Sequence, residues 1–125
     1  DLPAAASVPR WAEYATRCAS VKGVLSACIF DAITRRPLAH AGDEPSPEAL
    51  AEQGAALLEA MGLATHALGL GSGTPEAAVT LGQQHLVLRP VPGHPGIVLH
   101  LMLNASANNL TLARMQLDRV PLPGA

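Results

Sequence analysis

The apolar positions of this chain alternate between a helical rhythm and short continuous runs, and the switch points outline eight elements. Pro9 suits a first helical turn. Trp11, Tyr14 and Cys18 then fall at helical spacing, with Glu13 and Arg17 as an i,i+4 pair, and Gly23 ends this helix. Val24 to Phe30 is a run of apolar and small residues, which predicts a strand covered on both faces. Asp31 to Arg36 turns the chain, and Pro37 to Ala41 returns as a short strand whose proline suits an edge or a strand start. Gly42 to Pro47 is a loop that ends as a helix start, with Ser46 as N-cap, Pro47 as first helical residue and Glu48 in the first turn. The second helix runs to about Leu68, with Leu50, Leu57, Met61, Ala64 and Leu68 as its inner stripe. About 100° round from Leu50, on the standard helical spacing, lies a stripe of small residues: Ala49, Ala56, Ala60 and Ala67.

Gly69 to Pro75 is a cluster of breakers. It is followed by strands at about Ala77 to Leu81, His85 to Arg89 and Ile97 to Leu103, with turns at Gly82 to Gln84 and Val91 to Gly96. Ser106 or Asn108 caps a last helix to about Val120, with Leu110, Ala113, Leu117 and Val120 inside. The order α-β-β-α-β-β-β-α predicts an α+β domain. Its five-stranded, mostly antiparallel sheet carries the central helix on one face and the terminal helices on the other. The expected organisation is an N-terminal arm over residues 1–8, one domain over 9–120 and a tail over 121–125.

Composition narrows the functions open to such a domain. The chain has 125 residues, of which 49% are hydrophobic and 14% charged, with a formal net charge of −2. That excludes a disordered chain. One lysine, Lys22, and seven scattered arginines leave no electrostatic footprint for nucleic acid. Trp11, Tyr14 and Phe30 are too few to stack single-stranded bases. No apolar run is long enough to cross a membrane. Low charge in a small domain also leaves apolar surface to be covered by another chain. The N-terminal residues lack the basic start and apolar block of a signal peptide. The first residue is not Met, so an upstream segment is expected to have been removed. The expected location is the cytoplasm, where the Asn104 and Asn109 sequons carry no sugar.

Candidate chemistry is sparse. Cys18 and Cys28 lack metal-ligand spacing and are expected to be reduced and buried. The Gly69, Gly71, Gly73 run follows a helix and precedes a strand, which predicts a helix stop rather than a phosphate cradle. If Arg89 pairs near Val98, His85 and His100 share a sheet face as a pair able to bind metal or sense pH, but no third ligand is placed. Cys28 with a histidine is the only nucleophile–base pairing to consider, and it sits inside the most buried strand. Asp43, Glu44 and Glu48 are explained by loop and helix-start positions. Arg35 and Arg36 form a solvated turn or a contact for an acidic partner. No catalytic residue, cofactor or metal is expected.

Several of these features together resemble the Roadblock/dynein light chain family, in its bacterial, MglB-like branch. They are Val21-Lys-Gly-Val24 entering the first strand, Asp31 followed by Pro37-Leu-Ala39, and the alanine-rich central helix. Val79-Thr-Leu81 and Asn109-Leu-Thr-Leu-Ala-Arg114 complete the match, which spans Val8 to Val120. The departure is the first hairpin: the family usually has a glycine in that turn, and Ala32 to Arg36 contains none.

The resemblance implies a non-enzymatic homodimer that joins its sheets through the third strand and pairs its central helices. It also implies a platform for a small Ras-like GTPase, whose hydrolysis such proteins can speed by remodelling the GTPase itself. The expected dimer interface is Ala49, Ala56, Ala60 and Ala67 with Val79 and Leu81. The expected partner surface is Glu52, Gln53 and Glu59, with Leu112 and Met115 as a secondary contact, for instance for the N-terminal arm. The competing expectation is a small-molecule sensory domain of profilin-like type, which requires a pocket lined by convergent polar groups.

Overall fold

The computed structural model describes residues 10–71 and 73–123. The expected arm over residues 1–8, the helix start at Pro9 and the last two residues of the tail lie outside the described residues. The elements are α1 (Trp11–Ala19), β1 (Val24–Asp31), β2 (Arg36–Gly42), α2 (Pro47–Ala67), β3 (Ala77–Leu81), β4 (Gln84–Pro90), β5 (Ile97–Asn104) and α3 (Leu110–Asp118). Class and element order are those the pattern predicts.

All strand pairings are antiparallel, in the order β2-β1-β5-β4-β3. Short turns make three of the connections into hairpins or neighbours, and α2 carries the chain from one sheet edge, β2, to the other, β3. The central strands β1 and β5 are apolar on both faces because both faces are covered. On one face Ala27, Ile29, Val87, Leu99, Leu101 and Leu103 pack with Tyr14, Ala15 and Cys18 of α1 and Ala113 and Leu117 of α3. On the other, Cys28, Phe30, Leu88 and Val98 pack with Leu50, Ala51, Ala55 and Leu58 of α2.

The local differences have local causes. α1 ends at Ala19, not at Gly23. The Ser20 N–H bonds the Arg17 carbonyl and the Val21 N–H bonds that of Cys18, which tightens the last turn and leads the chain out early. The N-cap of α3 is Asn109, whose side chain accepts the Leu112 N–H at 2.8 Å. Neither expected cap is free for that role. Ser106 Oγ donates to Gln83, and the buried Asn108 amide donates to the Lys22 carbonyl and to Gln116. In the first hairpin, Asp31 Oδ1 accepts the N–H groups of Ile33 and Thr34, and Arg35 takes φ +61° where a glycine would be at ease. Gly69 at φ +74° stops α2: its own N–H bonds the His66 carbonyl and the Leu70 N–H bonds that of Thr65. This is the Schellman pattern, and it confirms the helix-stop reading.

Candidate interaction surface

α2 is set by its start. The Ser46 side chain accepts the Ala49 N–H, Pro47 opens the first turn and Glu48 complements the dipole. The helix then crosses β2, β1 and β5. Its buried residues are Leu50, Ala51, Gly54, Ala55 and Leu58, while Leu57 and Met61 are half-buried. Ala64 and Leu68, expected inside, are exposed. The inner face is therefore rotated toward Gly54, because that glycine allows the closest approach. A Cβ there would lie 2.8 Å from the Phe30 ring and 3.1 Å from His100 Nδ1.

That rotation turns the small-residue stripe outward. Ala49, Ala60 and Ala67 are exposed and Ala56 is half-buried, on the side about 180° from Leu58 at helical spacing. Beyond them, among the described residues, the last turns of α2 carry little packing: Leu63, Leu68 and Leu70 are 71%, 73% and 71% exposed. At the sheet edge, Val79 is half-buried and Leu81 exposed. The register Ala77–Leu88–His100–Cys28 places β3's Ala77, Val79 and Leu81 on the same sheet face as α2. The sequence reasoning passed over Leu63 and Leu70, whose only signal is that they extend the alanine-rich face.

The three expected partner residues, Glu52, Gln53 and Glu59, are all exposed. Glu52 and Glu59, seven positions apart and so on one helix face, are brought together by Arg35, which bonds each at 2.8 Å. The two carboxylates, Glu52 first, hold the Arg35 guanidinium above its ordinary range. Gln53 stands about 100° away from Glu52. Arg35, expected either in a solvated turn or as a contact for an acidic partner, is paired with carboxylates of its own chain. Between this turn and α2 lies an open groove of about 390 Å³ walled by Ala55, Leu58, Glu59, Ile33 and Pro75.

The far face of the domain carries Leu112 and Met115, 43% and 49% exposed. Beside them Arg89 bonds Asp118 at 2.6 Å and Glu76 pairs with Arg114 at 3.4 Å, tying β4 and the start of β3 to α3.

The histidine reading is corrected. Arg89 pairs with Leu99, not Val98, so His85 falls opposite Leu103 on the α1/α3 face and His100 opposite Leu88 on the α2 face. A one-residue register change moves a side chain to the other face. Instead, His100 joins His40: both are cross-strand partners of Cys28. Among the described residues no group of three or more His, Cys, Asp or Glu is arranged to hold a metal ion. Both cysteines are free and buried, and burial pushes each thiol up to about 11. At neutral pH Cys28 is therefore a thiol, not a thiolate nucleophile. Among the described residues no helix is long and apolar enough to cross a membrane.

No protein-family model matches the chain, and no curated protein matches it in sequence. Solved structures do match in shape. MglB of Myxococcus xanthus superposes with a TM-score of 0.74 at 17% identity, over 87% of this chain and 80% of that one. A Roadblock/LC7 domain from Streptomyces avermitilis gives 0.72 at 17% identity, over 87% and 92%. The gliding protein MglB of Thermus thermophilus gives 0.66 at 20% identity, over 86% and 82%. The fold of this chain is the Roadblock/LC7 fold.

Proposed function

We propose that this protein is a non-catalytic, homodimeric scaffold of bacterial origin that works in the cytoplasm, binds a small Ras-like GTPase and modulates its nucleotide hydrolysis. The observation that carries the reading is that two elements suited to pairing with a second copy are both left open. The small-residue face of α2 and the unpaired edge strand β3 lie on the same side of the sheet, and among the described residues neither is covered. An open edge strand is a template for a second strand. A helix face of alanines permits close approach by a second helix. Joining two copies through β3, with Val79 and Leu81 at the seam and Ala49, Ala56, Ala60 and Ala67 on the paired helices, would cover both. The fold shared with MglB and a Roadblock/LC7 domain supports a Roadblock-type scaffold, and the homodimer and the GTPase come from the sequence resemblance.

Dimerisation is tested by light scattering. The wild type should have twice the chain mass and Ala60→Glu the mass of one chain; a monomeric wild type, or an unchanged mass in the variant, refutes the interface. Partner binding is tested separately by titration calorimetry with the Ras-like GTPase encoded nearest the gene. The Glu52 and Glu59 carboxylates are exposed on their outer sides. Glu52→Gln with Glu59→Gln should weaken binding at least tenfold, about 1.4 kcal/mol, with the dimer intact. Unchanged affinity, together with loss of binding in a folded Leu112→Asp, Met115→Asp variant, moves the partner to the α3 face.

A further inference from the structure

The α2 face of the sheet contains polar atoms that the dimer and the partner surface do not use. His40 on β2, Cys28 on β1 and His100 on β5 stand side by side, with Ser26 two residues along β1 on the same face. Ser26 is wholly buried and His100 is 2% exposed. The Ser26 hydroxyl, His40 Nε2 and His100 Nε2 are all buried without a hydrogen-bond partner among the described residues. The exception in this row is His100 Nδ1, which lies 3.0 Å from the Leu50 carbonyl of α2. A carbonyl accepts, so Nδ1 carries the hydrogen, and in the neutral ring Nε2 is then a bare lone pair. With the weak contact from Cys28 Sγ to the Pro47 carbonyl at 3.7 Å, this is how the sheet holds the first turns of α2 by polar bonds.

We infer that His100 is a proton-sensitive latch, and that adding a proton to its Nε2 releases α2 from the sheet. The imidazolium needs a hydrogen-bond partner at Nε2, and among the described residues Nε2 is buried without one. The groups facing His100 are Cys28 on β1, Leu88 on β4 and, one strand further, His40 on β2. From α2 it meets Leu50 and Gly54, and the Glu48 carboxylate bears on Cys28, not on His100. None of them offers a paired negative charge. His100 itself cannot move, because β5 lies in the middle of the sheet with strands on both sides. α2 can, because it is packed on one side only and its last turns are exposed. Water therefore reaches Nε2 by displacement of the helix.

Burial holds His100 below the ordinary histidine range, with the Leu50 bond partly opposing it. The unfolded chain, or the α2-released form, takes up the proton first. The docked state is therefore fully favoured above about pH 6.5 and loses stability as pH falls below it. On the dimeric reading proposed above, release of α2 also withdraws the dimer face in acid.

The test is hydrogen exchange on the full chain at about pH 7.5 and pH 5, expressed as protection factors, alongside NMR titration of labelled histidine. His100 should titrate below the ordinary histidine range. α2 amides should lose at least about tenfold in protection relative to α1, the range of a local opening. His40→Gln should keep that loss, and His100→Asn, whose amide can replace Nδ1 but cannot be protonated, should abolish it. An ordinary His100 titration, α2 protection that does not change with pH, or a loss that persists in His100→Asn overturns the latch. If His100→Asn does not fold, the wild-type titration and the His40→Gln comparison decide. A latch that works in a chain found to be monomeric leaves the latch standing and removes the dimer.

Discussion

Replacing Gly54 by alanine should destabilise the protein even though alanine is the better helix former. In a helix interior the exchange by itself gains about 0.8–1 kcal/mol. Here the added methyl would stand 2.8 Å from Phe30 Cζ, 3.0 Å from Cε1 and 3.1 Å from His100 Nδ1. Phe30 is wholly buried in the α2 face of the core, so its ring cannot retreat. Forcing an extra methyl into such a site costs about 1–3 kcal/mol. If α2 instead lifts by several tenths of an ångström, the 3.0 Å bond from His100 to Leu50 lengthens toward the limit of a real bond, at a cost of about 1 kcal/mol. Set against the propensity gain, the net expectation is a loss of up to about 2 kcal/mol.

Gly62 supplies the control. It lies in the same helix and a Cβ there meets nothing within 4 Å, so Gly62→Ala should gain up to about 1 kcal/mol. Urea melts with unchanged slope read both shifts directly. Opposite signs support the close approach. A Gly54→Ala midpoint at or above wild type, moving with Gly62→Ala, would falsify the idea that α2 is docked through that glycine.

Other outcomes follow from single contacts. Asn109→Ala should cost about 0.5–2 kcal/mol, because it removes the bond that caps α3, whereas Ser106→Ala should cost less; urea midpoints separate them. Cys18 and Cys28, both buried and both held up to about 11, should react with an aromatic disulfide reagent at neutral pH only as fast as the chain opens. A rapid native-state reaction at either, followed by absorbance, would contradict their placement.

The strands were legible because their signals were strong. Val24 to Phe30 and Ile97 to Leu103 are apolar or small at every position but Ser26 and His100, and short runs of that kind bounded by turn residues fit strands covered on both sides. The inner face of α2 was not legible for the opposite reason. Ala, Gly and Leu occur all round that helix, so its periodicity has little contrast, and the tightest contact belongs to Gly54, which has no side chain to mark it. Pairing His85 with His100 failed by one residue of register, and register depends on turn geometry that the sequence leaves open. The shared face of Glu52 and Glu59 was readable from their seven-residue spacing. Their tie to Arg35 was not, because it joins residues 17 and 24 positions apart through a turn whose left-handed residue is an arginine.

The weak periodicity of α2 also carries a consequence for how the surface is used. Away from its Glu48, Glu52 and Glu59 side, α2 is apolar or small around most of its circumference, and yet it is buried on one side only. Burying Leu63, Leu68 and Leu70 would return about 1.5–3 kcal/mol each. Bringing two chains together costs on the order of 4–15 kcal/mol before side-chain ordering. Three leucines alone therefore leave association marginal. The β3 edge changes the balance, because a second strand added there satisfies open backbone groups and brings Val79 and Leu81 into the same covered surface. A partner that covers only the helix or only the strand would bind weakly, while one that covers both gains from each without ordering the chain twice.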